Sequence, residues 1–226
     1  MGIYWIISLS LTFVAIVEIM LSKNENTAQI RTWLYFVAVV VLFTFGGIRG
    51  LGTGLDDFQY RDFYAQFIDK IIIEGFWRAV VEFRYEPAIY AIAGVTRIFT
   101  ANPDIFIYVF AVIAVGVNAH YFRKLTPLPL VALAVYSAHL FINKDMNQIR
   151  FGLCSAFLMG FVWHMSRRSK SGMITTFILS FISHATAIVA LLIPLAMIVR
   201  KNKYINPPRL LSWSPACRWR FSAVQH

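Results

Sequence analysis

The residues of this chain that could do chemistry fall in four separated segments. The first, Arg49-Gly50-Leu51-Gly52-Thr53-Gly54-Leu55-Asp56-Asp57, closes a stretch with five glycines among the nine positions 46–54. Such glycine density lets a backbone come close to a ligand and adopt positive φ. Exposed N–H groups beside Arg49 would suit a phosphate or a sugar. A flexible exit from a helix accounts for the same composition. A dinucleotide site is excluded, since the glycines follow an apolar helix and no βαβ unit surrounds them. Asp56-Asp57 places two carboxylates side by side, able to coordinate a divalent cation or take a proton from a hydroxyl. A solvated acidic loop is the plainer account of that pair.

The second segment is Glu86-Pro87. Proline suits the first turn of a helix and Glu86 would complement that helix's positive end, so capping alone explains the pair. The third is Asp145-Met146-Asn147-Gln148-Ile149-Arg150, where Arg150 lies at the mouth of an apolar run. An arginine there either snorkels to headgroups or faces an aqueous cavity and holds an anion. The fourth is Ser183-His184, inside an apolar stretch and close to Thr186. His184 is either a neutral hydrogen-bonding group between helices or a proton-transfer group aimed toward Arg150 and Arg49.

The elements that position these segments are membrane helices. The 226 residues are 58% hydrophobic and 14% charged, with a mean hydropathy of +0.63. A soluble domain carries about a quarter charged residues and is less than half apolar. A soluble enzyme is therefore excluded. At ~20 residues per span, the chain has room for about six or seven transmembrane helices in an all-α, polytopic fold. Apolar runs occupy Gly2–Leu21, Thr32–Ile48, Pro87–Phe99, Ile105–Ala119, Leu128–Ile142, Phe151–Met165 and Met173–Val199. The first has no basic leader and no small-residue cleavage site, so it is expected to be a retained span. The last is interrupted by Ser183-His184, and either one tilted helix or two half-helices would fit.

Between the second and third runs, Arg49–Glu86 holds seven of the 11 acids and five bases in a protein of net charge +10. Phe63, Phe67, Ile71 and Ile72, then Gly75–Trp77 and Val80, recur at helical spacing within it. One or two amphipathic helices at the membrane interface are expected there. The net positive charge marks cytoplasmic loops and anionic headgroups, not nucleic acid.

Short loops rich in Lys and Arg stay in the cytoplasm. Arg123-Lys124, Arg167-Arg168-Lys170, Arg200-Lys201-Lys203 and the weaker Lys23/Arg31 loop can all be inside if Pro87–Phe99 is re-entrant or interfacial and Met173–Val199 turns back. Then Arg49–Glu86 and Asn143–Arg150 lie outside. A plain seven-span count would put Arg167-Arg168-Lys170 outside, against the charge rule. Residues 1–204 form one transmembrane domain in this reading. From 205 to 226 the apolar pattern stops and the composition resembles a short atypical tail, as a truncation or frame change would leave. Cys154 and Cys217 indicate neither a disulfide framework nor a metal site.

Taken in order, Arg49, Gly52-Thr53-Gly54, Asp57, Tyr60 and Tyr64, then Glu86-Pro87 and Tyr90, then Asn147-Gln148-Ile149-Arg150, then His184 resemble the EpsG/Wzy family of bacterial exopolysaccharide and O-antigen repeat-unit polymerases. Members typically show "R…GtDy…Y", "EPgy", "iRq-la" and "fH-sa" segments. The likeness runs over about residues 1–200. Gly54-Leu55 interrupts the usual Gly-Thr-Asp, so either Asp56 or Asp57 stands for that aspartate, and Phe151 replaces a common glutamine.

The resemblance implies a multi-pass inverting glycosyltransferase of the bacterial inner membrane. It would move a glycan from undecaprenyl diphosphate onto a hydroxyl of an incoming lipid-linked repeat unit at the outer face, in exopolysaccharide, O-antigen or capsule synthesis. Arg49 and Arg150 would hold the departing diphosphate, and His184, Asp56, Asp57 or Glu86 would take the acceptor proton. Gly52, Thr53, Gly54, Tyr60, Tyr64, Tyr90 and Gln148 would line the substrate. No cofactor or metal is required, although the paired aspartates leave a divalent cation open. The partners implied are the undecaprenyl-diphosphate-linked oligosaccharide, the bilayer, and a chain-length regulator and flippase of the same pathway. A polyprenyl-phosphate-sugar transferase and a lipid or solute transporter are the alternatives.

Overall fold

The computed structural model describes residues 2–50, 54 and 56–196. They are helical, with no strand among them. The order is α1 (Gly2–Leu21), α2 (Ala28–Gly47), α3 (Asp57–Glu74), α4 (Phe76–Phe83), α5 (Pro87–Phe99), α6 (Pro103–Leu125), α7 (Pro129–Tyr136), α8 (Ile149–Ser166) and α9 (Lys170–Ser183). A π-helical segment, Ser137–Asp145, continues α7, and a 3-10 turn spans Ala185–Leu191.

Local chemistry explains most boundaries. Pro87, Pro103 and Pro129 each open a helix, where a missing N–H costs nothing. Asn102 caps α6 by accepting from the Asp104 N–H at 2.8 Å. Gly75 breaks α3 from α4 at a φ of 86°, a conformation that side chains disfavour. Of the one or two amphipathic helices expected between the second and third apolar runs, the fold has two, α3 and α4. The apolar stretch around Ser183-His184 is two helical pieces. α9 ends at Ser183, and His184 is extended, with φ −163° and ψ 131°. The end of that apolar run, from residue 197, and the tail from 205 lie outside the described residues.

Side-chain contacts define two ends of the bundle. Tyr4 packs on Phe45, and Glu18 reaches the start of α7, so α1 and α2 are antiparallel and so are α1 and α7. Tyr35 donates to the Ala119 carbonyl while Gly47 abuts Tyr108, making α2 and α6 antiparallel. Cys154 meets Ser180, and His164 meets Gly172, which sets α8 against α9. One end therefore gathers Arg49, Asp57, Glu86, Asp104, Asp145 and Arg150. The other gathers Lys23, Arg31, Arg123, Lys124, Arg167, Arg168 and Lys170. Both ends of α5 meet the first half of α3, through Glu86 near Tyr60 and through Thr100 at Tyr64. α5 accordingly stays at the acidic end and does not cross.

Among the described residues four helices are long and apolar enough to span a membrane, namely Tyr4–Leu21, Ala28–Gly47, Pro103–Leu125 and Ile149–Ser166. α7 with its π segment and the 14-residue α9 also run from one end to the other. Trp5 and Phe13 on α1 are 68% and 66% exposed, as side chains facing hydrocarbon would be. The protein is an all-α, polytopic membrane protein.

α6 sits between two apolar cores. Leu42, Val115, Leu130 and Phe141 belong to one, and Phe63, Ile89, Phe106 and Leu153 to the other. A polar contact secures the first. Glu18, buried in α1, accepts from the Leu130 and Val131 N–H groups at 2.9 and 3.1 Å. Those donors begin α7 and have no partner within it. Glu18→Ala should lower stability by about 1–3 kcal/mol, the cost of leaving buried donors unpaired. A thermal unfolding midpoint equal to wild type in detergent would contradict this role.

Candidate active site at the acidic end

Arg150 is the hub. It occupies the first turn of α8, where its Nη1 donates to Glu86 Oε2 at 2.5 Å and its Nε to Tyr60 Oη at 3.2 Å. The guanidinium lies 4.7 Å from the Tyr85 ring centroid and 5.8 Å from that of Tyr60. Such stacking favours a planar cation. Among the described residues, these partners use two of its five N–H donors, and its side chain is 23% exposed. Burial raises the Tyr60 and Tyr85 phenols, with the Arg150 charge pulling them back.

Each partner is held by its own element. Glu86 precedes Pro87 at the start of α5, and its other oxygen lies 3.7 Å from His184 Nδ1. Tyr60 comes from α3. The Tyr85 N–H is fixed by Tyr90 Oη at 3.1 Å, and that hydroxyl donates to the Val80 carbonyl. His184 hangs from the end of α9, which the Cys154–Ser180 contact at 3.2 Å ties to α8. The His184 Nδ1 accepts from the Thr186 N–H at 3.3 Å, and its ring meets Phe151 edge to face. Nδ1 is thus an acceptor, and a neutral imidazole here carries its proton on Nε2.

A second polar cluster lies deeper. Arg49 and Asp57 form an ion pair at 2.6 Å, with side chains 1% and 0% exposed. Arg49 Nη1 also donates to the Asp145 carbonyl at 2.9 Å, and Asp57 Oδ2 accepts from the Gly54 N–H at 2.9 Å. A Cβ on Gly54 would run into the Met146 carbonyl, so this turn requires glycine. Asp145 accepts from Tyr136 at 2.8 Å, and its Oδ1 is buried without a hydrogen-bond partner among the described residues. Arg61 donates to the Arg49 carbonyl and pairs with Asp104, tying the glycine turn to α3 and α6.

The residues expected from sequence therefore divide. Arg150, Glu86, Tyr60 and His184 come together. Arg49, Gly54 and Asp57 form the adjoining buried cluster. Asp56 is half-buried at the head of α3, close enough for its charge to act on Tyr60 and Tyr85. Tyr64 stacks on Phe106 and donates to the Thr100 carbonyl at 2.6 Å, while Gln148 Oε1 accepts from Lys144 at 3.1 Å. Gly52 and Thr53 lie outside the described residues. Tyr85 was not anticipated. Its one sequence signal is adjacency to Glu86-Pro87, and the left-handed turn at Arg84, φ 52°, is what presents it. Among the described residues no three His, Cys, Asp or Glu side chains converge as metal ligands would.

This arrangement sits within a recognisable stretch of sequence. A profile of the EpsG family matches residues 32–213, which include every residue of both clusters. The chain belongs to the EpsG family. It is also similar to the amylovoran biosynthesis protein AmsC of Erwinia amylovora, with 36% identity over 208 residues. That alignment covers 91% of this chain and 56% of AmsC, so the EpsG-family chain spans little more than half the length of that relative. No solved structure is significantly similar to it.

Proposed function

We propose that this EpsG-family protein acts in exopolysaccharide biosynthesis as the polymerising glycosyltransferase. It transfers a growing glycan from undecaprenyl diphosphate to a hydroxyl of the next lipid-linked repeat unit. The observation that carries the reading is Arg150, stacked on Tyr85 and paired with Glu86 beside His184, at the acidic end of a membrane bundle. The seven bases named above gather at the opposite end, and such loops remain in the cytoplasm. The Arg150 cluster then faces outward across the bacterial inner membrane, where lipid-linked repeat units are presented.

The acceptor oxygen attacks the anomeric carbon as the bond to the diphosphate oxygen breaks, and the diphosphate leaves with additional negative charge. Arg150 stabilises that charge with the N–H donors that Glu86 and Tyr60 leave over. His184 takes the acceptor proton on Nδ1, which gives up the Thr186 N–H, and becomes an imidazolium whose new N–H faces the Glu86 carboxylate, which offsets the charge. Asp57 is sealed against Arg49 and holds the glycine turn. Asp56 is the competing base, so His184→Asn and Asp56→Asn should be compared for loss of turnover across pH. The AmsC likeness supports a biosynthetic role in polysaccharide assembly.

The test is Glu86→Gln introduced at the chromosomal locus. This nearly isosteric change removes the charge shared by Arg150 and His184. Polymer should disappear while single lipid-linked repeat units accumulate, at unchanged protein level in the membrane. Polymer of wild-type length would overturn the reading. Repeat units trapped on the cytoplasmic face would indicate a transporter instead.

A further inference from the structure

Two grooves flank α6 at the basic end of the bundle, far from the Arg150 cluster. One, of about 470 Å³, runs between α6, α8 and α9 past Phe157, His164 and Thr176. The other, of about 430 Å³, runs between α2 and α6 past Trp33 and Phe36. Gly116 and His120 line both. Gly116 is exposed, and a Cβ built there would meet nothing within 4 Å. The ridge of α6 is therefore lowest where the grooves adjoin, and together they form a saddle.

The next turn of α6 carries one cation toward each flank. Arg123 lines the α2 side. Lys124 Nζ lies over the Trp163 ring at 4.3 Å and the Tyr121 ring at 5.8 Å, on the α8 side. Among the described residues neither cation forms a salt bridge. Glu18 is committed to the first N–H groups of α7. His164 Nδ1, in the first groove, is buried with no hydrogen-bond partner among the described residues. Apolar walls, uncompensated positive charge and an unmet polar atom at one membrane boundary define the chemistry of an occupant. It has two hydrocarbon arms and an anionic head.

We infer that the saddle binds a two-chain anionic phospholipid of the surrounding bilayer, with one acyl chain in each groove and the phosphate diester against His120, Arg123 and Lys124. Basic pockets between transmembrane helices on the cytoplasmic side recognise such headgroups. The grooves explain the need for two chains, and the cations explain the need for charge. This site is independent of the glycosyltransferase reading.

Native mass spectrometry of the detergent-solubilised protein, with phosphatidylglycerol or phosphatidylcholine of identical acyl chains, tests it. Phosphatidylglycerol should be retained preferentially. Arg123→Gln and Lys124→Gln should each lower its retention about fivefold, the effect of removing one basic residue near an anionic lipid. Gly116→Leu, which adds a side chain in open space, should lower retention of both lipids without changing charge. One-chain lysophosphatidylglycerol should be held less well than the two-chain lipid. Equal retention of the two phospholipids by the unsubstituted protein overturns the proposal. So does an anionic preference that ignores Gly116→Leu and chain number, since that describes a charged surface and not a saddle.

Discussion

Arg150→Lys is expected to reduce polymer synthesis on the order of 10²–10³-fold, the typical effect of losing one electrostatic stabiliser of a transition state. The substitution keeps the charge and removes the shape. Arg150 must donate to Glu86 at 2.5 Å and to Tyr60 at 3.2 Å, stack on Tyr85 at 4.7 Å, and still present N–H groups to a ligand. A planar guanidinium does all of this from one position, whereas an ammonium is a point charge with three donors. Lysine would collapse onto Glu86 as a simple ion pair. Membrane insertion and thermal stability should stay close to wild type, because the charge at the mouth of α8 persists and can reach the headgroups. The measurement is glycan length distribution from a chromosomal variant at matched protein level. Wild-type lengths would show that Arg150 only snorkels and would remove it from the proposed chemistry.

The second large effect concerns folding. Asp57→Asn removes the counter-charge from Arg49, whose side chain is 1% exposed, and leaves a buried guanidinium without its ion-pair partner. Breaking a buried pair from one side costs about 3–5 kcal/mol. The thermal midpoint in detergent should fall sharply, and the yield of folded protein with it. Removing both charges, as Arg49→Met with Asp57→Leu, should recover part of the loss, since no unpaired charge remains. Recovery should stay incomplete, because Arg49 also donates to the Asp145 carbonyl and Asp57 accepts from the Gly54 N–H. A double-mutant cycle of Arg49→Met and Asp57→Leu, each alone and together, reads the coupling. A midpoint for Asp57→Asn within error of wild type would show that the ion pair does not hold this end of the bundle together.

The apolar runs, the polarity of the two ends and an amphipathic stretch between the second and third runs were legible in the sequence, because each follows from a local rule. A helix in hydrocarbon satisfies its own backbone, so apolar length marks it without knowledge of its neighbours. Lys and Arg in short loops mark the end expected in the cytoplasm, and among the described residues the fold gathers Lys23, Arg31, Arg123, Lys124, Arg167, Arg168 and Lys170 at one end. Pro87 and Gly75 set boundaries of α5, α3 and α4 through their own backbone preferences.

Charge partnership was not legible. Arg49 and Arg150 look equivalent in sequence, as bases at the edges of apolar runs. Packing buries the first against Asp57 and leaves the second partly open between Glu86 and Tyr85. Asp56 and Asp57 are neighbours in the chain, yet one turn of α3 leaves Asp56 half-buried and seals Asp57 completely. Tyr85 acquires its place only because Arg84 turns left-handed and α8 delivers Arg150 above it. These contacts join residues 64, 90 and 96 positions apart, in Arg150–Glu86, Arg150–Tyr60 and Arg49–Asp145. Local periodicity carries no information at such separations, because helix–helix packing alone decides which side chains meet. Whether a charge becomes a structural pair or an open binding group depends on the desolvation that packing imposes.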